Sequence, residues 1–190
     1  VEKIFKSLVI LLILGFLGTP GCAGWFSPVA TQASDEDQIK AAVQAYFSLR
    51  YQALQANLPL VLDAVVDQTD PKTSEWLKLE ADRREVEMFI HSEYEMQILA
   101  YKFDLNYTRI EIIQNRASVH LFEGNEITYA NNPDYPAALA GLEHELSLLK
   151  ANDQWLISND DYSDEIVRLL RISTKEKLLE TVKFNADHNK

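Results

Sequence analysis

His144 is the side chain in this 190-residue sequence whose type and setting come nearest to chemistry. It falls in phase with Leu142, Leu146 and Leu148, so a strand turns all four to one apolar face. Imidazole titrates near neutrality, and in a cavity beside tyrosine hydroxyls it can move protons. Tyr101, Tyr107 and Trp155 are the aromatic residues able to share that face, which gives a candidate ligand pocket of Tyr101, Tyr107, His144 and Trp155. The plainer reading is a hydrogen-bonded structural histidine, in which case leucine at 144 leaves folding nearly intact.

The other reactive residues do not assemble a motif. His91, His120, His144 and His188 have no His-x-x-x-His or carboxylate spacing that would hold zinc, so no metal and no cofactor are expected. Asn159, Asp160, Asp161, Asp164 and Glu165 form a carboxylate-rich run, but lack the alternating oxygens and central glycine of a calcium loop. A helix start explains them: Asp161 or Ser163 as the cap, with Asp164 and Glu165 at the positive end of the dipole. Gly-x-Ser-x-Gly does not occur. Glu143 and Glu145 alternate with His144 and belong to the solvated face.

The first 22 residues carry an address. Lys3 and Lys6 precede ten apolar residues from Leu8 to Leu17, followed by Gly18, Thr19, Pro20, Gly21 and Cys22. This is the pattern of an export signal, too short for a stable membrane anchor. Gly21-Cys22 is similar to the end of a lipobox, which would make Cys22 a lipidation site. Ordinary cleavage after Ala23 or Ala33 fits the small-residue rule equally well. Membrane contact is expected only through this leader or a lipid on Cys22. Lys3 and Lys6 outweigh Glu2 by one, so the mature chain is more acidic still than the −11 of the whole. That charge opposes nucleic-acid binding. With Cys22 the only cysteine, the chain behind it has no internal disulfide, and packing alone must hold it.

Residues 1–22 are the signal peptide, 23–34 a tether, and 35–185 one α+β domain. Ser34 with Asp37 caps a helix whose stripe is Ile39, Val43, Tyr46, Phe47, Arg50 and Leu54. Pro59 opens an apolar segment read as one or two helical turns. Asp70-Pro71 starts a second helix with the stripe Trp76, Leu79, Arg83, Val86 and Ile90, while Lys78, Glu80, Asp82 and Glu85 cover its other faces. Tyr101, Phe103, Leu105 and Tyr107 alternate as a strand, and the apolar phase slips after Arg109, which marks a bulge. Gln114-Asn115-Arg116 turns into a strand with Val119 and Leu121. A third strand contains His144. Ala151 to Gln154 is a hairpin turn into a short strand at Trp155 and Ile157, and Asn159 to Asp164 is a polar loop. Short helices come next, the last capped by Ser173 with Glu176. This order predicts N-terminal helices packed on a bent, cone-shaped antiparallel four-stranded sheet, similar to the nuclear transport factor 2-like fold.

RYQALQ (Arg50 to Gln55), the helix from Glu75 to Phe89, and DQWLISNDDYSDEI (Asp153 to Ile166) resemble the N-terminal region of secreted amidase-domain proteins of Gram-positive bacteria. The resemblance covers roughly residues 38 to 180. It implies a non-catalytic accessory module of the cell envelope, with a fused or neighbouring amidase domain or another envelope component as partner. The papain-like amidase of those proteins needs a Cys nucleophile activated by His. The single cysteine here lies in the leader, so no catalytic residue carries over.

Overall fold

The computed structural model describes residues 33–134 and 136–188, with the backbone alone at 139 and 140. The leader and Cys22 lie outside them. Helix α1 (Asp35–Ala56) starts where Ser34 Oγ accepts the Asp37 amide at 3.1 Å, as the cap pattern requires. Its stripe buries Ile39, Val43, Tyr46, Phe47 and Tyr51. The helix stops at Asn57, whose φ of 50° lies in the left-handed region that asparagine tolerates.

The segment after Pro59 is not helical. It forms a turn at 63–65 and then a parallel bridge between Val66 and Ile157. The Asp67 amide donates to the Ile157 carbonyl at 2.8 Å, and the Ile157 amide to the Val65 carbonyl at 2.9 Å. Pro59 removes a helical donor, Val61, Val65 and Val66 prefer extended backbone, and a sheet edge supplies the bonds a helix would have made.

Helix α2 (Pro71–Glu93) has Asp70 as its cap, the side chain accepting the Lys72 amide at 2.9 Å. Asp70→Ala is expected to cost about 1 kcal/mol, measurable as a lower urea midpoint at unchanged slope. The buried face of α2 is rotated from the predicted stripe. Trp76 and Val86 are inside, but so are Glu80, 1% exposed, and Arg84, 3% exposed. Glu80 turns inward because it has a hydrogen-bonding partner there, the Tyr162 hydroxyl.

Strands β1 (Ile98–Ile113), β2 (Arg116–Tyr129), β3 (Ala137–Ala151) and β4 (Gln154–Tyr162) form an antiparallel meander in that order. Hence the fold is α+β, with an open four-stranded sheet. Gln114 at φ 57° makes the first hairpin turn, and Asn152 and Asp153 at 49° and 60° make the last. The predicted bulge is present as a register shift between Tyr107 and Arg109. Three more shifts reset which residues point inward: one between Ile98 and Ala100 on β1, one beyond Glu123 on β2, and last the one where Leu148 pairs Ile157 but Ser147 pairs Asn159. The last moves the inward phase of β4 from Trp155 and Ile157 to Asp160 and Tyr162. For this reason β4 runs through the residues read as a polar loop.

Helix α3 (Glu165–Leu170) is capped by Asp164, which accepts the Val167 amide at 2.7 Å. Helix α4 (Lys175–His188) comes last, with Thr174 Oγ1, rather than Ser173, accepting the Lys177 amide at 3.4 Å. The core lies between α1 and the sheet: Ile39, Val43, Phe47, Val119, Leu121, Leu146 and Ile157 are all within 1% of full burial. No helix among the described residues is long and apolar enough to cross a membrane.

Candidate functional site

His144 stands on β3 opposite Leu121 of β2 and Tyr162 of β4, and it is completely buried. Both ring nitrogens are engaged. Nδ1 is 2.9 Å from Asp160 Oδ1 on β4, and Nε2 is 2.9 Å from Glu123 Oε2 on β2. Helix α1 closes the row from above with residues of its buried stripe. The Tyr51 hydroxyl donates to Glu123 Oε1, and the Tyr46 hydroxyl donates to Asp160 Oδ2 at 2.9 Å. The result is one continuous chain, Tyr51–Glu123–His144–Asp160–Tyr46, crossing the interior.

Arg50 lies beside it. Its Nη1 is 3.5 Å from Asp160 Oδ2 and its Nε 3.9 Å from Glu80 Oε2. The Tyr162 hydroxyl donates to Glu80 Oε1 at 2.5 Å. The Tyr162 ring stacks on the imidazole with centroids 4.8 Å apart, and the Arg50 guanidinium lies 4.7 Å from the same ring.

The electrostatics result from this geometry. Burial, the largest influence on His144, works against its charged form, but hydrogen bonds to Asp160 and Glu123 prevail and raise its pKa above the ordinary value. A carboxylate at each nitrogen favours a proton on both, the charged form towards which the raised pKa also points. Burial likewise pushes Glu123 up, and is overcome by the His144 hydrogen bond, the Arg50 charge and the Tyr51 hydroxyl, which together bring it down to about 2. Burial raises Tyr46, Tyr51 and Tyr162, keeping them neutral donors.

A cavity of about 300 Å³ opens next to this row. Arg50, Arg83, Glu123 and Asn125 face it as polar groups, and Leu54, Ile127 and Leu142 as apolar ones. Arg83 is held in place by Asp164, with Nε 2.7 Å from Oδ2, and by Glu87 at 3.3 Å. Glu123 therefore joins the buried row to the cavity.

The four residues of the candidate pocket are not brought together. His144 sits in the row and reaches the cavity only through Glu123. Tyr101 stacks on Tyr51 with centroids 5.1 Å apart. Tyr107 bonds the Lys40 carbonyl at 3.4 Å, with its own hydroxyl pushed up to about 12 by burial. The Trp155 indole donates to Asp35 at 3.1 Å. Tyr107 and Trp155 thus serve the first turns of α1, whereas His144 meets its later turns. Glu143 and Glu145 are exposed, as alternation requires.

Glu123 and Asp160 are partners that the sequence pattern does not single out. Glu123 keeps the phase of Val119 and Leu121, so its place in the alternation is a signal for burial. Asp160 is hidden by the register shift before it. Asp160 and Glu123 approach opposite nitrogens and do not converge on one point; among the described residues no group of three or more His, Cys, Asp or Glu is placed to hold a metal ion.

No family model matches the chain, and no curated protein matches it. Solved structures with a related arrangement share little sequence. A nuclear transport factor 2-like superfamily protein from Salmonella enterica is 12% identical over 67% of this chain and 92% of its own, with a TM-score of 0.45. The intermembrane-space region of the chloroplast protein ARC6 is 14% identical over 68% and 97%, at 0.42. The Kfla4162 protein from Kribbella flavida is 11% identical over 70% and 99%, at 0.41.

Proposed function

We propose that this chain is an exported, non-catalytic binding module of the bacterial envelope that holds a small ligand in the cavity beside Arg50 and Glu123. The observation that carries this reading is the fixed wall of the cavity. Glu123 is bonded through both oxygens, to Tyr51 and to His144, so it is preorganised and its ordering is already complete when a ligand arrives. The same bonds favour binding over turnover. A general base needs a free lone pair within reach of the substrate, and His144 has both nitrogens occupied and no exposure.

Export is supported by the charged and apolar leader. A role alongside a wall-directed amidase is supported by the resemblance of Arg50 to Gln55 and of Asp153 to Ile166 to the accessory region of such proteins.

The test is a melting-temperature screen of small metabolites against the mature chain. A ligand at a hundredfold excess over its Kd is expected to stabilise by about 2.7 kcal/mol, a rise of several degrees. Leu142→Trp, which fills the cavity from β3, is expected to remove that rise while the variant still melts cooperatively. A flat response throughout a broad screen, or rises that survive Leu142→Trp, would defeat the proposal.

A further inference from the structure

We infer that the ligand of this cavity carries a carboxylate, seated on the edge of the Arg50 guanidinium, and an apolar body lying on Leu54, Ile127 and Leu142. This deepens the proposed binding role and rests on it.

Arg50 is nine-tenths buried, its side chain 10% exposed. A guanidinium has five N–H donors in a planar fork. Among the described residues Arg50 makes one hydrogen bond, from Nη1 to Asp160, at a long 3.5 Å. The Glu80 oxygen at 3.9 Å is beyond bonding distance. Of the carboxylates around it, Asp160 is bonded to His144 and Tyr46 and Glu123 to His144 and Tyr51, whereas Glu80 spends Oε1 on Tyr162 and keeps Oε2 unbonded, facing Arg50 from too far to accept. Rings of Tyr162, Tyr46 and Phe47 lie 4.7, 5.4 and 5.6 Å from the guanidinium carbon. They stabilise the cation without accepting its protons. Nε and Nη2 of Arg50 have no acceptor among the described residues yet are not sealed from solvent, and the cavity that Arg50 lines is where those donors can be met.

The acceptors of the cavity are in the opposite condition. Glu87 is bonded to Arg83 and Arg84, Asp164 to Arg83 and the Val167 amide, and Glu123 to His144 and Tyr51. A cationic ligand would find every carboxylate on the wall already paired, whereas an anionic one finds a fork with open donors. Glu123 is offset by the His144 charge, which it shares with Asp160, and by the Tyr51 hydroxyl, so Arg50 and Arg83 supply the positive charge that an anion meets at this wall. Two parallel oxygens are what a guanidinium edge matches best. The volume is at the low end of ligand pockets, which restricts the apolar body to a short chain or a single ring.

The test uses the mature chain at pH 7 and 0.15 M salt, with octanoate, 1-octanol and octylammonium titrated calorimetrically. Octanoate is expected to bind at least tenfold tighter than octanol, and octylammonium more weakly than octanol. Arg50→Lys should lower octanoate affinity about tenfold or more and so narrow the gap between octanoate and octanol. If that variant fails to fold, the ranking of the three ligands on the unaltered chain decides alone. Octanol equal to octanoate, or octylammonium strongest, overturns the carboxylate assignment and leaves the cavity a binding site. Binding of none of the three overturns the carboxylate assignment as well, and hits of other chemistry in the melting screen then show whether the binding role survives it.

Discussion

Replacing His144 by leucine is expected to lower the stability of the fold by about 3–5 kcal/mol, the range for breaking a buried ion pair by removing one partner. The sequence pattern alone suggests the opposite, since Leu142, Leu146 and Leu148 flank the position and leucine fits their face. Apolar fit is not the controlling term. Leucine at 144 leaves Glu123 and Asp160 facing an uncharged side chain in the interior, and only Arg50, 3.5 Å from Asp160, remains nearby as a cation. The measurement is the urea midpoint of the variant, together with Glu123→Gln and the double variant to give the coupling between the two sites. A loss below about 1 kcal/mol in His144→Leu would mean that the row is not held by charge.

The second large effect is a stability optimum in mildly acidic solution, with a different group limiting each side. Glu123 has its pKa lowered to about 2 from an ordinary 4.5. Its contribution is therefore complete above about pH 4.5 and lost as pH falls through 2. A shift of that size corresponds to on the order of 3 kcal/mol. His144 has its pKa raised above the ordinary 6.5, so its contribution is complete below about 6.5 and lost as pH rises through its folded value. The row is strongest between those limits. Asp35, lowered by its hydrogen bonds to Lys150 and Trp155, also contributes on the acid side. The informative quantity is thus the difference between the unaltered chain and Glu123→Gln, measured by urea unfolding from pH 2 to 9. A constant difference from pH 4.5 down to 2 would refute the role of Glu123. Stability that rises from pH 6.5 to 9 would refute that of His144.

The periodic elements of this fold are legible because their signals are local. Ser34 and Asp70 cap where the sequence places them, the phase slip read after Arg109 has its bulge between Tyr107 and Arg109, and the strand phase turns His144 inward. What is not legible depends on pairing between distant segments. Glu80 reads as a solvated residue of an amphipathic helix until Tyr162, 82 positions later, gives it a partner. Asp160 reads as part of a polar loop because a register shift changes the inward phase between Ile157 and Asp160. Tyr101, Tyr107 and Trp155 are aromatic and in phase, as a pocket around His144 requires. Phase assigns a face, however, not a height along it, and Tyr107 and Trp155 meet the wrong end of α1. Arg50 is the clue to the row that the sequence does contain. A guanidinium within the apolar stripe of α1 signals buried carboxylates nearby, and Asp160, 3.5 Å from it, is the member of the row it touches.

The contacts along β4 also bear on how far this sheet can grow. Its outer edge is stopped: Ile157 exchanges bonds with Val65 and Asp67, and the Thr73 hydroxyl donates to the Ser158 carbonyl at 2.9 Å. Open edges are where sheets recruit further strands, and successive recruitment needs an edge on each side of every copy. With the central groups of β4 already spent, the edge left open among the described residues is β1. Association through it would join two chains edge to edge and end there, as a terminated pair rather than a fibre.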